Sequence, residues 1–150
     1  MTGNSFNGLI EEFPGLSIDR FNNGATTFLL SHYHSDHLVG LDTKSFLGTV
    51  YCLEVTKSLL KRAHKYGHVL KFIRALDYLK QHFVLINGTF EVKLSLIPAY
   101  HCEGAVCFLI ESPTANVFCT GDVRAETTWL NALTRNPFIF PYTTKLRTLD

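Results

Sequence analysis

The chain of 150 residues predicts an α/β protein, a β-sandwich layered with helices. Three observations carry that expectation. Short apolar runs of strand length recur from Leu16 to Thr120, divided by turn residues. Only two stretches have the periodicity of a helix. Many strands early, with few helices, fit packed sheets better than a helical bundle.

The elements follow in order. Leu16 to Phe21 alternates apolar and polar side chains like a half-buried strand, and Asn22-Asn23-Gly24 turns the chain into a second strand, Thr26 to Ser31. Leu47 to Cys52 reads as a third. Val55 to Lys65 predicts a helix with Val55, Leu59, Leu60 and Ala63 as its inner stripe. Strand-like pieces follow at Phe72 to Leu76, Phe83 to Ile86 and Phe90 to Ile97, the last two split by the turn Asn87-Gly88. Val106 to Glu111 and Asn116 to Thr120 flank Ser112-Pro113-Thr114 as a hairpin. Ala125 to Leu133 predicts a second helix with an acidic residue in its first turn. Asn136-Pro137 and Phe140-Pro141 mark loops, and Lys145 to Leu149 opens a further strand. The pattern stops at Leu149-Asp150 in mid-element, so the chain is expected to be the N-terminal part of a longer protein.

Size and a 46% hydrophobic content suit one globular domain, with no repeat, linker or low-complexity stretch. The first residues lack the basic start and apolar core of a secretory signal. No apolar run approaches the roughly 20 residues of a membrane span. A soluble, intracellular protein without a membrane partner is expected. Cys52, Cys102, Cys107 and Cys119 show no C-x-x-C pairing and are expected to be reduced and packed. Cys102, next to His101, has a thiolate-ligand or nucleophile role as its weaker alternative.

Function is written most clearly in Ser31-His32-Tyr33-His34-Ser35-Asp36-His37, directly after an apolar run. Three imidazoles and a carboxylate within six residues are donors of the kind that hold zinc or a similar divalent ion. His32 and His34 fall on one side of an extended segment, while Asp36 and His37 come after the turn and can serve a second position. A His-rich surface loop is the bland alternative. His101 follows Ile97-Pro98-Ala99-Tyr100, and Asp122 follows Val117 to Gly121, so each stands just past an apolar strand. His32, His34, His101 and Asp122 would complete one four-coordinate site. Asp36, His37 and a bridging oxygen of Asp122 would begin a second. Two ions ~3.5–4 Å apart clamp the attacking and leaving oxygens of an in-line displacement at phosphorus.

The pattern S-H-x-H-x-D-H, P-A-x-H-C-x-G, T-G-D-x-R resembles the metallo-β-lactamase fold and, within it, the β-CASP nucleic-acid-processing branch. It is most similar to the SNM1/Artemis/Pso2 group of DNA-repair nucleases, over about residues 16 to 150, with Ser17 to Phe21 leaning to the Artemis side. The resemblance implies a metallo-β-lactamase-like αββα sandwich, present only in its N-terminal part. The β-CASP insert and the later histidine of the second metal site would then be absent. It also implies a catalytic role for Asp36, His37 and Asp122, and for Asp150 as the start of an L-D-T-T motif. Zinc, as one or two ions, is the implied cofactor, with manganese or iron also compatible. DNA ends or damaged, structured DNA are the implied partner, and the nucleus the implied location. Departures from the family pattern are Tyr100 at a usually small or polar position, Glu103 for proline and Val123 for an aromatic residue. None removes a ligand.

From Val55 to Leu76 there is no acidic residue, and Lys57, Lys61, Arg62, Lys65, Lys71 and Arg74 all fall there. Lys57, Lys61 and Lys65 stack at i, i+4, i+8 on the expected helix, which costs a few tenths of a kcal/mol per pair (~0.3) unless something outside compensates. A phosphate backbone would; a plain solvated face is the even alternative. Tyr66 and Phe72 are expected in the core rather than stacked on bases. The combined expectation is a metal-dependent DNA phosphodiesterase of repair, either a 5′-exonuclease or a structure-selective endonuclease. The rivals are an RNA-processing or small-molecule hydrolase of the same fold, and a non-catalytic remnant that binds one ion.

Overall fold

Strands that are apolar at every position, not every second one, are those covered on both faces. Thr27-Phe28-Leu29-Leu30, apolar after its first residue, and Val106 to Glu111, apolar up to its last, come close to this, and both are buried throughout. They lie in different sheets of the computed structural model, which describes residues 7–78 and 80–150. The reading of the first six residues as lacking a signal lies outside these. Strands β1 (Leu16–Ile18), β2 (Thr27–Leu30), β3 (Thr49–Leu53) and β4 (Ile73–Leu76) form a parallel sheet in that order. Strands β5 (Gln81–Ile86), β6 (Phe90–Pro98), β7 (Val106–Glu111) and β8 (Asn116–Cys119) form an antiparallel meander.

The two-residue period of a strand sorts side chains into three cores. Leu29 on β2, with Leu16 and Ile18, meets Leu94, Leu96, Phe108 and Ile110 from the other sheet. Its neighbours Phe28 and Leu30 point the opposite way, towards Leu60, Tyr66 and Val69. On β7, Cys107 and Leu109 turn outward to Trp129 and Ile139. Helix α1 (Glu54–Arg62) therefore covers the parallel sheet, and α2 (Thr127–Arg135) with α3 (Phe140–Thr143) covers the antiparallel one. The layers run helix, sheet, sheet, helix, as the α/β expectation required. Phe108 is fully buried at the centre, and truncating such a residue to alanine costs about 3–5 kcal/mol.

Several local expectations are corrected. Asn22-Asn23-Gly24 does lead into the second strand, and β1 and β2 pair in parallel, Leu16 opposite Thr27. A three-residue strand is only about 10 Å long, so the loop 19–26 can carry the chain back to its start. The first helix ends at Arg62, where Ala63 is extended, and the chain continues as a 3-10 segment, His64–Phe72. Ala63, Tyr66, Val69 and Phe72 recur every third residue and all pack on the outer core of the parallel sheet. That period is the one a 3-10 helix presents to one side. Lys65 is thus not on the helix with Lys57 and Lys61.

Phe140-Pro141 opens α3 instead of a loop, since proline's fixed φ suits a first helical turn. Lys145 to Leu149 forms no strand, and Leu146 and Leu149 stay exposed. Glu126 occupies the position before the first turn of α2, without a side-chain capping bond, rather than sitting in that turn. Among the described residues no helix is long and apolar enough to cross a membrane. All four cysteines are free thiols, as expected, and burial pushes Cys52 and Cys107 up to about 12.

Candidate metal centre

The two sheets are stitched at one rim. The Ser31 carbonyl, just past β2, accepts the Val106 N–H at the start of β7, at 3.1 Å. That bond brings the loop after β2 against the loops that leave β6 and β8. His32 follows Ser31 directly and is fully buried. His34 precedes the 3-10 turn Ser35–His37, which carries Asp36 and His37. His101 comes from the loop after β6, and Asp122 from the loop after β8.

Three ring nitrogens converge. His34 Nδ1 lies 2.9 Å from His32 Nε2 and 3.2 Å from His101 Nε2. A single N–H on His34 cannot point squarely at both. Tetrahedral zinc, with Zn–N of about 2.0–2.1 Å, holds its nitrogens about 3.3 Å apart. The spacing therefore suits three lone pairs directed at one cation. One oxygen of Asp122 closes the group: Oδ2 is 3.9 Å from His32 Nε2 and 3.5 Å from His101 Nε2. The same oxygen is 3.5 Å from His37 Nε2, which lies 3.7 Å from Asp36 Oδ2. Asp122 thus stands between two donor groups, as a bridging carboxylate would. Two sets of side chains could hold a metal ion: His32, His34, His101 and Cys102, and His32, His37 and Asp122, each have ligand atoms within 4.8 Å of one another, and Asp36 belongs to neither.

Behind the histidines lies Asp19, a residue the sequence reading placed only in a strand. Its backbone is left-handed (φ 54°), which ends β1 and turns the carboxylate inward. Oδ1 accepts the Ser31 N–H at 2.8 Å, and Oδ2 accepts the Ser31 hydroxyl at 2.6 Å and His37 Nδ1–H at 2.8 Å. With its proton committed to Asp19, Ser31 Oγ accepts His32 Nδ1–H at 2.9 Å. The two bonds fix both tautomers, leaving Nε2 of His32 and His37 as lone pairs that face Asp122. An outer carboxylate that orients imidazoles in this way is what metal-binding histidines require. Burial, helped by the charge of His37, pushes His32 down to about 4, so it stays neutral and able to ligate. Burial also lowers His37, but the Asp19 hydrogen bond and charge outweigh it and raise its pKa.

Cys102 was read as a packing residue, and it does pack against the outer core of the antiparallel sheet. Its Sγ nonetheless lies within reach of the three histidine nitrogens. Glycine at 121 has φ 55°, and a Cβ there would stand 3.1 Å from Ser31 Oγ. That close approach is what lets Asp122 reach the histidines. A cleft of about 600 Å³ opens on the His37 side, lined by Asp19, Arg20, Asp36, His37, Thr120 and Asp122 among others.

The remaining expected site residues lie elsewhere. Asp150 is not brought to the cluster: its Oδ2 accepts the Asn116 N–H at 2.7 Å, at the far end of β8 from Asp122. Lys61, Arg62, Lys65, Lys71 and Arg74 are exposed, and Lys57 is half-buried. Lys65 and Lys71 lie over the rings of Tyr66 and Phe72, at 4.7 and 4.9 Å from the centroids. Tyr66 is buried and Phe72 half-buried, so both rings belong to the core. Helix α1 reaches the centre through Thr56, whose hydroxyl donates to the Gly104 carbonyl at 3.2 Å, in the loop that carries His101.

No protein-family model matches the chain. Artemis of Gallus gallus is 36% identical over 135 residues, which cover 79% of this chain and 19% of that protein. Artemis of Homo sapiens is 35% identical over 136 residues, covering 80% of this chain and 20% of that protein. The DNA cross-link repair 1A protein of Homo sapiens is 38% identical over 117 residues, covering 75% of this chain and 10% of that protein. The chain spans about a fifth or less of the curated relatives it matches. A solved protein of unknown function from Enterococcus faecalis V583 overlaps with 65% of the chain and 25% of its own, at TM-score 0.43 and 22% identity, too loosely to bear on fold or function.

Proposed function

Since the chain belongs to the family of Artemis and the DNA cross-link repair 1A protein, we propose that it carries the metal centre of a phosphodiester hydrolase acting on DNA. The reading includes a metallo-β-lactamase-like fold of the β-CASP branch, zinc as the cofactor and the nucleus as the site of action. It takes the activity to be a 5′-exonuclease or structure-selective endonuclease of crosslink repair or end joining. One observation carries it: five imidazole and carboxylate side chains from three loops aim their free atoms at a common space.

His32, His34, His101 and Asp122 would hold the first cation, and Asp36, His37 and Asp122 the second. When bound, such ions supply Lewis acidity to the phosphoryl group and to water. The residues do the rest. Asp19 and Ser31 hold the imidazole tautomers, so that no ligand must reorient on binding. The Asp19 hydrogen bond and charge raise the pKa of His37, so a cation there would compete with a proton for its Nε2. Asp36, exposed at the cleft mouth, is placed to orient the attacking water. Asp150 stays outside this arrangement. Lys57, Lys61, Arg62, Lys65, Lys71 and Arg74 would track the phosphate backbone away from the cleft, without reading bases.

The test is a chelation series. Protein stripped with EDTA and reloaded with zinc or manganese should regain cleavage of a 5′-phosphorylated single strand, and Asp122→Asn should not. Two bound ions with no cleavage of DNA, but turnover of RNA or of a small ester, would favour the rival hydrolase. One tight ion and no turnover of any of these would favour a binding remnant.

A further inference from the structure

Arg20 is anchored by its backbone and by half of its side chain. Ser17 Oγ donates to its carbonyl at 2.8 Å, and it forms an isolated bridge with Val39. Its guanidinium donates from Nη1 to the Asp36 carbonyl, which pins the 3-10 turn of the histidine loop, and makes a long contact of 3.5 Å to the Asp19 carbonyl. Nε and Nη2 have no hydrogen-bond partner among the described residues. The side chain lines the cleft beside Asp36, His37, Thr120 and Asp122. Apart from His37, it is the only cationic side chain among the described residues that line it.

Three acidic residues, Asp19, Asp36 and Asp122, line the same cleft. Their charge attracts cations and repels an anionic diester wherever no cation intervenes. A guanidinium with unused, coplanar donors is the side chain best shaped to meet phosphoryl oxygens there. We infer that Arg20 is a phosphate-binding residue of this cleft, its Nη1 fixing the Asp36 turn while Nε and Nη2 take a non-bridging oxygen of the bound phosphate. This deepens the hydrolase reading and rests on it. It also explains why one residue joins the ligand scaffold to the cleft: the group that receives the phosphate is tied to the loop that receives the ions.

The experiment uses the full chain loaded with zinc, with inorganic phosphate as the probe, followed by calorimetry and metal analysis. Arg20→Lys keeps a donor for the Asp36 carbonyl but loses the second pair, and Arg20→Gln loses the charge. Both should keep their zinc content, while phosphate affinity falls about tenfold, the scale of a lost charged hydrogen bond. With a 5′-phosphorylated oligonucleotide, the rise in KM should exceed any fall in kcat. Unchanged phosphate affinity in both variants, with zinc intact, would overturn the inference, as would loss of zinc from both. A wild-type chain that binds phosphate through Arg20 yet cleaves nothing would uphold the inference and defeat the hydrolase reading.

Discussion

At the rim of the parallel sheet, His32 through Ser31 and His37 directly are wired to one buried carboxylate, Asp19, before any ligand binds. At the rim of the antiparallel sheet, His101 and Asp122 are single donors, the second with its side chain 46% exposed. Among the described residues no comparable side-chain network holds them. Backbone geometry does: Tyr100 sits at φ 56° and Gly121 at φ 55°, each immediately before its ligand. The contrast teaches that one half of the centre is stabilised by buried hydrogen bonds and the other by loop shape. Damage to the first should cost folding and metal together; damage to the second should cost metal or positioning with a smaller loss of stability.

The sharpest way to break the comparison is Asp19→Ala. It leaves the Ser31 amide and hydroxyl and His37 Nδ1 without an acceptor in a buried setting. Urea denaturation should show a loss of about 3 kcal/mol, together with failure to retain the second ion. If stability stays within about 0.5 kcal/mol of wild type, the carboxylate is not the keystone proposed. Next is Gly121→Ala, which adds a left-handed penalty and a contact with Ser31. A cost of about 1–2 kcal/mol is expected by thermal melting, with weaker metal affinity.

A gain is expected at the mirror position. Tyr100 is exposed and left-handed, and Tyr100→Gly should raise stability by about 0.5–1 kcal/mol, read as an increased Tm without a change in metal content. Smallest in folding terms is reversal of Lys61 and Arg62 to glutamate, which should move stability by no more than about 0.5 kcal/mol. It should nonetheless weaken binding of long DNA and lower the magnitude of the salt slope by about 2, while turnover of a small chromogenic phosphodiester persists. Equal loss of both would remove the nucleic-acid role of this face.

The same contrast explains what the sequence made legible. Ligands packed into the stretch from His32 to His37 are visible because their spacing is local, and His101 and Asp122 are visible because each ends an apolar strand. Strands β6, β7 and β8 fall within a residue or so of expectation, since Asn-Gly and Ser-Pro turns punctuate an antiparallel meander. The parallel sheet was harder. Its pairings join segments in parallel, and the turn signal at Asn22-Asn23-Gly24 marks a connection without giving the direction of the strand that follows. The 3-10 segment was hidden because its three-residue stripe overlaps the 3.6-residue stripe of a helix for one turn. Asp19 and Arg20 read as the polar half of an alternating strand, and only the left-handed turn at Asp19 reveals their role. Position 150 matched a motif by order in the chain, and its place at the far end of β8 comes from pairing that order does not encode.

One measurement bears most directly on the centre itself: anomalous diffraction at the zinc edge from crystals grown with the metal. A peak about 2.0–2.2 Å from His32 Nε2, His34 Nδ1, His101 Nε2 and Asp122 Oδ2 is the expected result. Zinc bound only at other surface groups, with these imidazoles hydrogen-bonded to one another and no density among them, would contradict it.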